Sequence, residues 1–270
     1  MFAKGKGKEK ATSYCDWMSQ LPPELHDIPL FNLAIPGSHD SMSYDLDINS
    51  SIAEPDKLKK FSKIYCARKI ILKWGATQNV LRDFNMWAER HHKEILILAF
   101  SHFKGFDKKT EEQLHTHLIN FIKSLFGTKV LHRGTTPTLR SCWDQGRNII
   151  VSYDYHAYQH PEIWTKIPYF YGNSMKPAKV ESKLSQVLEK ERPSQCFFVC
   201  GLNLTLPEDA SILKYILRLC DNFANVVRRS LPRLLQWLKL QASKKPNIVA
   251  SDLATCEDFV STVIQLNISK

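Results

Sequence analysis

An α/β fold built on parallel strands is the class this sequence predicts, and three observations carry it. Five apolar runs (residues 30–35, 95–100, 148–153, 196–202 and 247–250) are too short for helices and are flanked by turn or polar residues. Amphipathic helical stretches separate most of them, and strands that alternate with helices pair in parallel. Each run ends in polar residues, the place from which the loops of a parallel barrel build an active site. With 270 residues, 43% hydrophobic and 11% aromatic, the chain can bury one large core. One domain over 15–270 is expected to follow a basic tail over 1–14.

In chain order, the tail alternates lysine and glycine between Lys4 and Lys10 without the spacing of a phosphate loop, and reads as a disordered basic arm. The first run leads into Pro36-Gly37, a turn that can bring the backbone sharply to a pocket. Residues 111–126 place Leu114, Leu118, Phe121, Ile122 and Leu125 at helical spacing, and 210–227 read as a further helix. Residues 226–245 set Arg228, Arg229, Arg233 and Lys239 beside Leu231, Leu234, Leu235 and Leu238. Such a stripe either lies on a lipid surface or faces a core. Pro232 suits the start of a separate helix there.

Lysine and arginine number 37 against 27 acids, a formal net charge of +10, which favours anionic partners. Those partners are an acidic lipid surface or nucleic acid, and no zinc finger, RNA-recognition motif or helix-turn-helix is present to support the second. No nucleic-acid partner is therefore expected. No run approaches the ~20 apolar residues of a membrane span, and the N-terminus lacks the apolar core of a signal peptide. A cytoplasmic protein with peripheral contact to anionic membranes is the expectation. Seven cysteines, an odd number in a chain of this size, predict buried free thiols in a reducing compartment; Cys196 and Cys200 lack the second pair of a metal site.

The polar ends of the runs are Ser38-His39-Asp40, Ser101-His102, Ser152-Tyr153-Asp154, Asn203 and Ser251-Asp252. If five strand ends converge on one mouth, these residues line it. For Ser38, Ser101 and Ser251 the alternative is a helix N-cap in a βα loop. His39 is a credible general base, since an ordinary imidazole accepts a proton near neutral pH. The last strand of a barrel neighbours the first, so Asp252 is placed to hold the imidazole in one tautomer and to stabilise its cation. The competing role for Asp252 is to cap a helix beginning near Thr255.

The run Asn32-Leu33-Ala34-Ile35-Pro36-Gly37-Ser38-His39-Asp40-Ser41 closely resembles the opening motif of the phosphatidylinositol-specific phospholipase C X domain. Asp16-Trp17-Met18, Leu72-Lys73-Trp74, Pro137-Thr138-Leu139-Arg140 and Asn247-Ile248-Val249-Ala250-Ser251-Asp252 extend the resemblance to the small animal proteins that contain only this domain. The resemblance implies a distorted, parallel TIM-like barrel that cleaves phosphatidylinositol to diacylglycerol and a cyclic inositol phosphate. It implies that His39 is the base, Asp252 its orienting carboxylate and Asp40 an acid near the leaving oxygen; His102, Tyr153, Asp154 and Asn203, as polar strand ends at the mouth, are expected to contact substrate. Calcium-dependent members have asparagine after the first histidine. Asp40 stands there in this chain, so no metal or other cofactor is expected.

One part of the pattern is missing. After Val80 the family continues through two further strands that carry an arginine motif and a second catalytic histidine. This chain passes directly into Leu81-Arg82-Asp83-Phe84, which resembles the helix that follows them. Two units of a ~250-residue, eight-unit barrel amount to roughly 50 residues or slightly more, so the barrel is expected to be incomplete near 80/81. His91 and His92 precede a strand and so belong to the opposite end from the mouth; His102 is at the correct end. The expected function is a phosphoric diester hydrolase, or else an impaired form that binds inositide without turning it over.

Overall fold

The computed structural model describes residues 14, 16–39, 74–101, 103, 109–155, 160–205, 223–252, 254 and 258–268, without the side chains of 74–77 and 223–224. The tail over 1–13 lies outside them. Six strands and six α-helices are found among the described residues. They are β1 (Ile35–Ser38), α1 (Trp74–Arg90), β2 (Leu96–Phe100), α2 (Glu111–Phe126), α3 (Leu139–Asp144), β3 (Ile149–Tyr153), β4 (Tyr169–Tyr171), α4 (Pro177–Gln186), β5 (Val199–Gly201), α5 (Phe223–Lys239), β6 (Ile248–Ser251) and α6 (Phe259–Gln265).

The first strand is shifted from its predicted place. Leu30–Asn32 form a 3₁₀ turn, and the strand starts at Ile35 and includes the Pro-Gly pair. The physical reason is Asn247, whose side-chain nitrogen donates to the Leu30 and Leu33 carbonyls at 2.9 and 2.8 Å and holds that segment coiled. Strand β4 has no counterpart among the predicted runs.

Every ladder is parallel. One sheet has the order β1-β6-β5-β4 and a second pairs β2 with β3. The segment leading into β4 joins them: Trp164 N–H donates to Val151 O at 2.8 Å, and Tyr153 N–H to Trp164 O at 2.9 Å. The strands therefore follow one another as β2, β3, β4, β5, β6, β1, and no closed barrel is found among the described residues. Among the described residues, β1 and β2 are the two ends of this order.

Side chains alternate across these strands. One face shares a single cluster that draws on both sheets, including Ile35, Ile150, Phe197, Val199, Ile248 and Ala250, closed from below by Met18, Leu21 and Leu30. The opposite face packs on helices. Cys200, Val249 and Phe198 meet α4, α5 and α6, while Ile149, Val151 and Tyr153 meet α1 and α2. Helices on the outside and an apolar filling within are the layers of an α/β domain.

Helix α2 has the predicted bounds with a rotated face. His115, Leu118, Ile119, Ile122 and Phe126 are buried, whereas Leu114 is exposed. His115 fixes the rotation through a 2.8 Å bond from its Nδ1 to the Tyr153 hydroxyl.

Helix α5 continues through Pro232 without a break, contrary to the separate helix expected there. Val227, Leu231, Leu234, Leu235 and Leu238 are all buried in the core. At about 1.5–3 kcal/mol each, they outweigh the ~3 kcal/mol of an interior proline. Pro232 and Arg228, whose carbonyl loses its partner, are both exposed, so water satisfies the group. The stripe thus faces a core and not a lipid surface.

The thiols follow the same layers in part. Burial pushes Cys142 and Cys200 up to about 12, but Cys196 is exposed and departs from the expected burial. No helix among the described residues is long and apolar enough to cross a membrane.

Candidate active site

The site begins where the first and last strands lie side by side. Gly37 eases that approach, because a Cβ there would come to 3.0 Å from Ile248 Cγ2, a tight contact. Gly37 pairs with Ala250 and Ser38 with Ser251, and His39 N–H then donates to Ser251 O at 3.1 Å. His39 and Asp252 are thereby carried onto the inner face together, two residues beyond Gly37 and Ala250. Their side chains meet with Nδ1 2.8 Å from Asp252 Oδ1, and 28% and 21% of them is exposed. An ionised Asp252 can only accept, so Nδ1 carries the proton and Nε2, across the ring, is the basic nitrogen. The second carboxylate oxygen, Oδ2, is buried without a hydrogen bond among the described residues. This carboxylate therefore serves the imidazole; helix α6 starts at Phe259 after Asp258, too far along to be capped by Asp252.

Asn203 joins this pair by register. Gly201 is paired with Ala250, so Asn203 stands level with Asp252 and His39 on the same face. It is 4% exposed. Tyr169 of β4 reaches up to it, donating its hydroxyl to Asn203 Oδ1 at 2.8 Å, while its ring centroid lies 5.4 Å from that of His39. Tyr169 is the residue that sequence reasoning missed. The available signal was the aromatic triplet Tyr169-Phe170-Tyr171 enclosed by Pro168 and Gly172, which is too short to register as an apolar run.

Other predicted site residues lie elsewhere. Tyr153 is a correction: it follows the outer parity of β3, is 1% exposed, and bonds to His115 under the helices. Burial raises its phenol well above the ordinary range, which suits a permanently protonated donor in a core. Asp154 pairs with Lys166 at 2.6 Å. Asp40 and His102 fall outside the described residues. His91 lies before β2, at the end of the parallel strands opposite to His39, stacked on Trp87 and 3.1 Å from Asp16. No group of three His, Cys, Asp or Glu side chains suited to a metal ion occurs among the described residues.

What these residues can do chemically is take up one proton and hold it. A histidine whose far nitrogen is fixed by a carboxylate can take a proton from a hydroxyl nucleophile, and the Tyr169 ring lies beside this one.

No family model matches the chain, and no solved structure matches it. Several curated proteins do. The human PI-PLC X domain-containing protein 1 is 33% identical, with 93% of this chain and 92% of the relative covered. The zebrafish protein of the same name is 32% identical (93% and 94% covered), and mouse PI-PLC X domain-containing protein 3 is 28% identical (98% and 97%). The alignment with the human protein spans 306 positions, but 93% of 270 residues is about 251, so roughly 55 positions have no residue here. For the mouse protein 98% is about 265 of 318 positions, leaving roughly 53. With one third of its residues identical across nearly the whole of both chains, this protein belongs to the PI-PLC X domain-containing family.

Proposed function

We propose that this chain binds inositol phospholipid at the His39 site and cleaves it, slowly, as a phosphoric diester hydrolase of the phospholipase C type. The observation that carries the reading is the 2.8 Å contact between His39 and Asp252 at the ends of adjacent first and last strands. In the reaction, His39 Nε2 takes the proton of the inositol 2-hydroxyl as that oxygen attacks phosphorus. The bond from phosphorus to the diacylglycerol oxygen breaks, and a cyclic inositol phosphate forms. Asp252 stabilises the resulting imidazolium. The departing oxygen needs a proton, and Asp40 and His102 are the groups the sequence offers for it. Asp40 also supports catalysis without calcium. The enzyme acts in the cytoplasm, at the surface of anionic membranes.

Slowness follows from what the chain lacks. The roughly 53–55 unmatched positions are close to two units of a TIM-like barrel of ~250 residues. Placed after Val80, the loss would remove strands between β1 and β2, the two ends of the strand order among the described residues. The join falls inside the unbroken helix α1, with Leu81 buried against the core. General acid catalysis alone contributes ~10²- to 10⁴-fold, so a site built around its base retains little turnover.

That same loss favours a second reading, a binding protein without turnover. Vesicles of phosphatidylcholine with and without phosphatidylinositol separate the two. Sedimentation measures binding, and released cyclic inositol phosphate measures cleavage. Inositide-dependent binding with slow product supports the enzyme; binding without product over hours leaves the second reading. Absence of both overturns the assignment of the site.

A further inference from the structure

Asn203 presents two chemically different ends on one buried amide. Its Oδ1 already accepts the Tyr169 hydroxyl at 2.8 Å. With the phenol O–H donating to that oxygen, Nδ2 is the end of the amide turned away from Tyr169. No hydrogen bond from Nδ2 is found among the described residues, and this nitrogen is not one of the fully buried atoms that lack a partner.

Gly201 makes the arrangement possible. A Cβ at this position would stand 2.6 Å from Tyr169 Cε1 and 2.7 Å from its hydroxyl, and closer still to Asn203 Oδ1. The absent side chain is therefore the space in which the pair forms. Phe198, Cys200 and Leu202 on the other face are packed in the core, so the strand cannot shift outward to admit a methyl group.

We infer that Tyr169 is a positioning residue: through its bond to Asn203 Oδ1, in the space left by Gly201, it turns the Asn203 amide N–H₂ toward an oxygen of the inositol phosphate headgroup beside His39. This rests on the proposed function for the identity of the ligand, and on geometry alone for the orientation.

A double-substitution cycle tests it on the full chain, with phosphatidylinositol vesicles as the probe and phosphatidylcholine vesicles as the control. Tyr169→Phe keeps the ring beside His39 and removes only the donor, so the inositide-dependent affinity is expected to fall about five- to tenfold. Asn203→Ala should lose as much or more. In the Asn203→Ala background, Tyr169→Phe should cost nothing further, because the amide it positions is gone. An equal loss in both backgrounds overturns the inference and makes Tyr169 a direct ligand contact; no loss in either overturns it as well. A second readout needs no lipid. The Asn203 side-chain amide resonance in a ¹⁵N-labelled protein should shift and broaden in Tyr169→Phe, with the remaining spectrum retained, and an unmoved resonance rejects positioning. Wild-type protein that ignores phosphatidylinositol would defeat the proposed function, while the amide resonance still judges Tyr169.

Discussion

The two sheets use polar residues at strand ends in opposite ways. In the β1-β6-β5-β4 sheet these residues lie on the inner face and meet across neighbouring strands: His39 with Asp252, Tyr169 with Asn203. In the β2-β3 sheet, Tyr153 is turned to the outer helices and Asp154 bonds with Lys166. The residue types are similar, but parity and adjacency differ. In the first sheet, side chains of inner parity on neighbouring strands meet, whereas Tyr153 has outer parity and bonds beneath the helices. On the proposed function, the chain lacks strands next to the second sheet that would have faced the base, and Tyr153 serves packing instead.

The largest effect expected from this contrast is on cleavage. His39→Ala removes the base and should reduce cyclic inositol phosphate release by about 10²- to 10⁴-fold, from an already low rate. Asp252→Asn keeps the size of the side chain and offers Nδ1 either an oxygen or a nitrogen. It should lower the rate about as far by disturbing the tautomer. If both variants released product at the wild-type rate, some other residue would be the base and the first sheet would have no claim to the chemistry.

Much of this first sheet was legible from the chain. The motif around Pro36-Gly37-Ser38-His39 and the closing run to Asp252 placed both members of the pair, because first and last strands must be neighbours once a parallel barrel is assumed. Tyr169 was not legible, since its strand is three residues long and its partner, Asn203, lies 34 positions further along the chain. Tyr153 was misread for a different reason. Its run ends in three consecutive polar residues, and only the pleat decides that Ser152 faces inward while Tyr153 faces the helices. Pro232 was misread because local proline chemistry was weighed without the five buried side chains that hold α5 together.

The second sheet is better probed through stability, and Glu94 gives the next effect in size. This carboxyl precedes β2 at the base of the fold, is buried, and accepts Met18 N–H at 2.9 Å. Burial raises it from the ordinary 4.5 to about 7, against the opposing bond from Met18, with Asp16 adding to the rise. A raised value means that the folded protein binds the proton more tightly than the unfolded chain. The associated stability is full below pH 4.5 and is lost as the pH climbs through 7. Glu94→Gln keeps an oxygen for Met18 without a titrating proton. Urea unfolding at pH 5 and pH 8 should show wild type losing roughly 2.5 kcal/mol relative to the variant over that interval. A difference that does not change with pH would mean that Glu94 is ionised in both states.

The smallest effect is the most discriminating between the sheets. Tyr153→Phe deletes one hydroxyl, the one bonded to buried His115, and leaves the aromatic packing with Phe100 and Phe103 in place. Losing a buried hydrogen bond should cost about 1–2 kcal/mol in urea unfolding. Vesicle binding and product release should stay within about twofold of wild type, since the altered atom faces the helices and not the space beside His39. Tyr169→Phe removes the same atom from the same residue type, with the weights reversed: a modest change in stability and a clear loss of inositide affinity. If Tyr153→Phe proved the more damaging to binding, inner parity would not be what separates site from scaffold, and the division between the two sheets would have to be redrawn.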